Sequence, residues 1–180
     1  SALVGHVNPS GALPVTVYDE SYTKRIDFTS YSLRDPPGRG YRFLAEAPAF
    51  PFGHSLSYTR WSLQLASLVP NRVTVGFSGV LRCEVNVSNV GARAGGKAIL
   101  LFMRRRGGTS PWPKKWLVAF TKIQAVAAGS HSSASLEFSA ADAWSQWDAT
   151  VGAAGHYELL LGISEEVVGS LAVDAESAVS

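Results

Sequence analysis

From residue 59 onward, apolar and polar side chains alternate in short runs, each closed by turn residues. Over residues 81–88 the alternation is complete: Leu81, Cys83, Val85 and Val87 fall on one face, and Arg82, Glu84, Asn86 and Ser88 on the other. A period of two is the mark of a half-buried strand. It recurs in Ala134, Leu136 and Phe138 against Ser133, Ser135 and Glu137, and again in Tyr157, Leu159, Leu161 and Ile163. Residues 99–103 form a continuous apolar run suited to a central strand. Residues 62–68, 117–123 and 171–173 complete the set, and Ser139-Ala140-Ala141-Asp142 is able to start one helical turn. Roughly seven short strands over about 120 residues is what an immunoglobulin-like β-sandwich requires.

Residues 1–58 read differently. Asn8-Pro9-Ser10-Gly11, Pro14, Pro36-Pro37-Gly38, Pro48 and Pro51-Phe52-Gly53 interrupt the chain so often that only short extended pieces fit, over residues 13–18 and 41–44. The stretch also holds Tyr18, Tyr22, Phe28, Tyr31, Tyr41, Phe43, Phe50 and Phe52. Such an aromatic load has to pack against something, yet no independent core is visible within it. The chain is therefore expected to divide into residues 1–58 and 59–180. The strands of the second part should close their own core. A chain beginning near Thr59 is then expected to be at least as stable as the whole, and more soluble.

Composition narrows the function. Of the 180 residues, 46% are hydrophobic and 17% charged, enough to bury a core. The net charge is only +2, and the one dense basic run, Arg104-Arg105-Arg106 with Lys114-Lys115 following, is narrower than a nucleic-acid stripe. Cys83 is the single cysteine. It excludes a disulfide framework and the inter-sheet bridge of antibody domains, so a fibronectin type III-like version of the sandwich is the better reading. The apolar runs are far too short for a bilayer-spanning helix, and the first residues lack the charged and long apolar regions of a signal peptide. His6, His54, His131 and His156 show no metal-ligand spacing, and no nucleophile elbow is present. Adjacent residues Glu165 and Glu166 would point to opposite faces of a strand and form no carboxylate pair.

Several segments carry a family resemblance. Pro51-Phe52-Gly53-His54-Ser55-Leu56-Ser57-Tyr58-Thr59 resembles the P-F-G-H-G-L-S-Y-T signature that closes the second domain of family 3 glycoside hydrolases. Upstream, Asn8-Pro9-Ser10-Gly11-Ala12-Leu13-Pro14-Val15-Thr16 is similar to the family's N-P-S-G-K/R-L-P-V-T segment, and Pro37-Gly38-Arg39-Gly40-Tyr41-Arg42-Phe43 to P-G-R-T-Y-R-F/Y. Downstream, Val85-Asn86-Val87-Ser88-Asn89-Val90-Gly91 looks like the V-x-V-x-N-x-G strand of the appended fibronectin type III-like domain. Leu117-Val118-Ala119-Phe120-Thr121-Lys122 resembles L-x-G-F-x-K, and Trp147-Asp148 a W-D pair. Ile26-Asp27, Tyr31-Ser32-Leu33-Arg34 and Pro37-Gly38-Arg39 look most like the β-xylosidase branch. Ser55, Gly40 and Ala119 depart from the motifs, which carry glycine, threonine and glycine there.

The resemblance implies a mainly β fold: a fibronectin type III-like sandwich over residues 59–180, preceded by the tail of an α/β sandwich domain over residues 1–58. Family 3 enzymes are retaining glycosidases, whose two catalytic carboxyl groups stand roughly 5–5.5 Å apart. Their nucleophile lies in a barrel domain, so no catalytic residue, cofactor or metal ligand is carried onto this sequence. The implied function is a structural C-terminal portion of a β-glycosidase of carbohydrate metabolism, inactive alone. Its partners would be the catalytic domains, with a plant-type polysaccharide or oligosaccharide beyond them, in a secreted or extracellular enzyme. A free-standing carbohydrate-binding or protein-interaction module is the alternative, and the aromatic-rich first segment argues against it. Phe52, Gly53, His54 and Tyr58 are the candidates for shaping the junction or pocket, with a structural hydrogen bond expected from His54. Trp112, between two prolines, is the candidate for sugar stacking, although core packing is the commoner fate of tryptophan. Tyr157 is a candidate corner tyrosine. Asn86-Val87-Ser88 is an N-glycosylation sequon on an outward face, usable in a eukaryotic secretory protein.

Overall fold

The computed structural model describes residues 2–107, 112–145, 154–163 and 166–174. Trp147-Asp148 and Glu165 lie outside them. Among the described residues eight strands form two sheets: β1 Trp61–Val69, β2 Arg72–Thr74, β3 Val80–Asn89, β4 Gly95–Arg105, β5 Trp116–Val126, β6 His131–Ser139, β7 Gly155–Leu161 and β8 Val167–Asp174. One sheet has the order β1-β3-β6 and the other β2-β8-β7-β4-β5. All pairings are antiparallel except β2 with β8. The chain is thus a mainly β sandwich of the expected class. Two short helices, α1 Gly40–Phe43 and α2 Ala140–Ser145, and a 3-10 turn at Glu20–Lys24 complete it.

The alternation in residues 81–88 becomes the central strand of the three-stranded sheet. Leu81, Cys83, Val85 and Val87 are fully buried, while Arg82, Glu84 and Asn86 are exposed. Facing them across the sandwich are Ile99, Leu101 and Met103 of β4, Trp116 of β5, and Tyr157, Leu159 and Leu161 of β7. Burial pushes the Cys83 thiol up to about 12, because a thiolate is costly in this apolar layer.

β4 is buried on both faces. Its outward residues Leu100 and Phe102, with Leu160 of β7, form a second cluster covered by Tyr41, Phe52 and Leu117. This explains the unbroken apolar run: a strand sandwiched on both sides has no polar face. The expectation that the strands close their own core holds between the sheets and fails here, because Tyr41 and Phe52 come from the first segment.

That segment also differs from its reading in two ways. Residues 41–44 do not extend: Gly40, at φ +64°, starts a helical turn that sets the Tyr41 ring 5.5 Å from that of Phe102, edge to face. A small core exists as well, of Tyr22, Ile26 and Leu44 with Tyr18 packed against it. Tyr18 stacks on Tyr22 at 4.0 Å, and the Tyr22 hydroxyl donates to the Gly38 carbonyl at 2.9 Å. In the sandwich, β2 is too short to show a period, and Ile163 lies past the end of β7 and is exposed. Gly162, at φ +66°, ends that strand.

Each large apolar side chain kept from water contributes about 1.5–3 kcal/mol. Removing residues 1–58 would bare Leu100, Phe102 and Leu160, so the stability expectation is reversed. A chain beginning at Thr59 should lose on the order of 4–9 kcal/mol relative to the whole and scatter more light. Urea unfolding and light scattering on both chains check this; equal midpoints would refute it.

Candidate functional site at the junction

Residues 13–17 and 50–54 pair as a short antiparallel ribbon. Leu13 N donates to the His54 carbonyl and Gly53 N to the Leu13 carbonyl, both at 2.8 Å; Val17 and Phe50 exchange bonds of 2.9 and 3.0 Å. The ribbon drives the Phe52 ring onto the outer sheet face, 4.5 Å from Tyr41 and 6.1 Å from Phe102 between centroids. Only glycine fits next to it. Gly53 has φ +85°, and a Cβ there would stand 2.6 Å from Leu100 Cδ1, a conformation and a contact that side chains resist.

His54 sits on the other side of the ribbon with its ring 5.0 Å from that of Phe50. Its Nε2 is buried without a hydrogen-bond partner, so the expected side-chain bond is not formed. The backbone does that work instead: His54 N donates to the Pro51 carbonyl at 3.0 Å. Tyr58 closes the junction, its hydroxyl donating to the Ala2 carbonyl at 2.8 Å and its ring lying 5.4 Å from the Arg93 guanidinium.

Two asparagines hold this arrangement together. Asn8 Oδ1 accepts from Ser57 Oγ at 3.0 Å and from Tyr58 N at 2.8 Å, while its Nδ2 donates to the Ala94 carbonyl at 2.9 Å. Asn89, 1% exposed, accepts from Thr59 Oγ1 at 2.5 Å and Gly91 N at 3.2 Å. Its Nδ2 donates to the carbonyls of Arg93 at 2.7 Å and Val126 at 3.0 Å. Neither asparagine was singled out from the sequence, although both stand inside quoted motifs. The signal was their recurrence in N-P-S-G and V-x-V-x-N-x-G, short patterns that already contain turn residues.

Apolar grooves flank the ribbon. One, about 450 Å³, is lined by Leu13, Pro14, Phe52, Leu117 and Phe120; the other, about 700 Å³, by Leu13, Val17, Phe50, His54 and Leu56. Among the described residues no carboxylate lines either, and glycoside cleavage needs an acid–base pair. Among the described residues no group of three or more His, Cys, Asp or Glu side chains is placed to hold a metal ion, and no helix is long and apolar enough to cross a membrane.

The remaining candidates stand apart from the junction. The half-buried Trp112 lies 6.2 Å from Trp116 in a stacked arrangement, 6.5 Å from Tyr157 edge-on, and 4.8 Å from the Arg105 guanidinium. Trp116 and Trp144 both meet the buried Tyr157 ring edge-on, at 6.2 and 5.7 Å, so this aromatic group packs the end of the sandwich. Asn86 is exposed mid-strand, opposite Gln64 and Ser133.

Residues 97–165 match the Fn3-like family, the fibronectin type III-like domain. A probable exo-1,4-β-xylosidase of Aspergillus clavatus, bxlB, is 35% identical over 154 residues, 75% of this chain and 20% of that protein. The solved β-glucosidase EmGH1 of Erythrobacter marinus aligns at 28% identity with a TM-score of 0.69, covering 95% of this chain and 22% of that one. A GH3 exo-β-xylosidase, XlnD, shares the fold with a TM-score of 0.80 at 22% identity, over 97% of this chain and 25% of its own. The chain spans about a fifth of the length of the curated relatives it matches.

Two substitutions probe the junction. Asn89→Ala should cost about 3 kcal/mol or more, because Thr59 and the Arg93 and Val126 carbonyls lose their partner away from water. Gly53→Ala should cost roughly 1–3 kcal/mol through its backbone conformation and the Leu100 contact. Urea midpoints at neutral pH measure both, and changes under about 0.5 kcal/mol would contradict the assignment.

Proposed function

We propose, for a chain that matches the C-terminal, Fn3-like region of the family 3 glycoside hydrolases, that it is the accessory portion which buttresses the catalytic domains of a retaining β-glycosidase of β-xylosidase type. In this reading residues 1–58 are the closing part of an α/β domain and residues 59–180 the fibronectin type III-like domain. One observation carries the proposal: the first segment has two faces. Inward, Tyr41 and Phe52 cover Leu100, Phe102 and Leu160. Outward, Val15, Val17, Phe28, Tyr31, Leu33, Phe50 and Leu56 are exposed. So many exposed apolar side chains on one short segment mark a surface made to be covered. A segment held by the sandwich on one side and open on the other is an adapter between two domains.

Phe52, Gly53, His54 and Tyr58 would act through this adapter. They set the angle at which the catalytic domains meet the sandwich, and none touches substrate. A sugar-binding role for the chain alone has less support, because the Trp112 ring is already engaged by Trp116, Tyr157 and Arg105.

Two measurements test the reading. The chain alone should not hydrolyse aryl β-xylosides or β-glucosides. Mixed with a separately produced barrel and α/β portion of a family 3 β-xylosidase, it should form a complex and raise that portion's melting midpoint, and Phe50→Ser with Leu56→Ser should weaken the effect. Turnover by the repurified chain, or no complex at micromolar concentration, would sink the proposal.

Asn86 fits the same setting as an N-glycan acceptor, exposed on β3 with Gln64 and Ser133 opposite it. Secreted from a eukaryotic host, the chain should carry a glycan mass that disappears in Asn86→Gln. An unmodified Asn86 peptide in the secreted wild type would end this part of the reading.

A further inference from the structure

Lys97 enters the sandwich where its neighbours in parity are apolar. It shares the inward side of β4 with Ile99, Leu101 and Met103, and it lines a cleft of about 230 Å³ between the sheets. Trp61 and Leu63 of β1 form one wall; Leu161, Ile163, Glu166 and Val168 form the other. Among the described residues the only hydrogen-bond partner of Nζ is Ser55 Oγ, at 3.1 Å. None of the ion pairs among them includes Lys97. The other lysines differ: Lys24 is paired with Glu20 at 3.5 Å, Lys114 and Lys122 are exposed, and Lys115 lies over the Phe102 ring.

We propose that Lys97 is a covalent site for small aldehydes, above all the open-chain form of an aldose, which enter the cleft and condense with Nζ. The cleft gives this reaction what an open surface does not. Trp61, Leu63, Leu161 and Val168 bury the amine on a lining that also holds the Glu166 carboxylate, and that burial lowers the lysine from its ordinary range, so more of the amine is neutral and nucleophilic. The neutral nitrogen adds to the carbonyl carbon, and the C=O electron pair moves to oxygen, which takes one of the two amine protons. The carbinolamine then loses its hydroxyl with the second nitrogen proton as water, leaving a C=N bond. C2 of the sugar then loses its proton as nitrogen gains one, giving an enaminol, and the C2 hydroxyl loses its proton as C1 gains one, giving a stable ketoamine with no oxidant or reductant consumed. The Ser55 hydroxyl, within hydrogen-bond distance of Nζ, is placed to pass the proton between nitrogen and oxygen.

The proposal reaches beyond the accessory role and stands without it. Incubate the folded chain with D-xylose and cyanoborohydride at neutral pH, and follow each lysine by peptide mass spectrometry. The Lys97 peptide should be modified at least about fivefold faster than the Lys24 peptide, since a lysine lowered by burial holds more free amine at neutral pH. In urea-unfolded chain the two rates should converge. Equal rates in the folded chain, or an advantage that survives unfolding, would overturn the proposal.

Discussion

Asn89 ends β3 with an amide that water cannot reach, and both ends of that amide are satisfied by other parts of the chain. Its oxygen takes Thr59 and Gly91; its nitrogen gives to Arg93 and to Val126 at the end of β5. A buried amide without partners costs several kcal/mol, so the site is stable only when all of these groups are in place. The constraint therefore reaches across both sheets. It fixes the β3–β4 turn, which presents the Ala94 carbonyl to Asn8. Asn8 in turn holds Ser57 and Tyr58, and the ribbon that carries Phe52 is positioned from there.

β4 turns this local geometry into a layered molecule. Its inward side chains make the inter-sheet core and its outward ones the floor for the first segment. The same strand therefore stabilises the sandwich and seats the first segment. Function in this reading depends on packing and not on a reactive group: the chain offers shape and apolar area, while chemistry belongs to domains on the far side of the segment. Lys97 is the exception in the proposal above, near the start of β4, where the inward parity begins before the apolar run.

Much of this was legible in the sequence. Residues 81–88, 134–138 and 157–161 alternate so regularly that strand, face and burial all follow. The β2 strand was hidden by its length and α1 by the turn chemistry of Gly40, whose positive φ no periodicity reveals. The second face of β4 was written in the chain: a run with no polar position from residue 99 to 103 needs cover on both sides, and the aromatic residues of the first segment needed a floor. Reading each requirement separately led to a self-sufficient sandwich; joined, they give the observed contact. The asparagine hubs were harder, because a motif letter says where a side chain is in the chain and not which distant carbonyls it will meet. The junction candidates rest on resemblance, and the packing of Trp112 against Trp116 and Tyr157 is the commoner fate of tryptophan that the sequence already favours.

The Thr59–Asn89 and Asn8–Ala94 bonds have a consequence for how such a molecule can be rearranged over evolutionary time. A crossover placed at the start of β1, where the sequence changes character, would separate Asn8 and Phe52 from the turn and the strand that they fit. Offspring of that exchange would inherit a floor cut for one aromatic pair beneath another lineage's ribbon. The heritable unit is therefore larger than the sandwich, and it begins before residue 8. Shuffling in this fold should leave its scars upstream of the N-P-S-G segment, with the sandwich travelling alongside the tail that covers it.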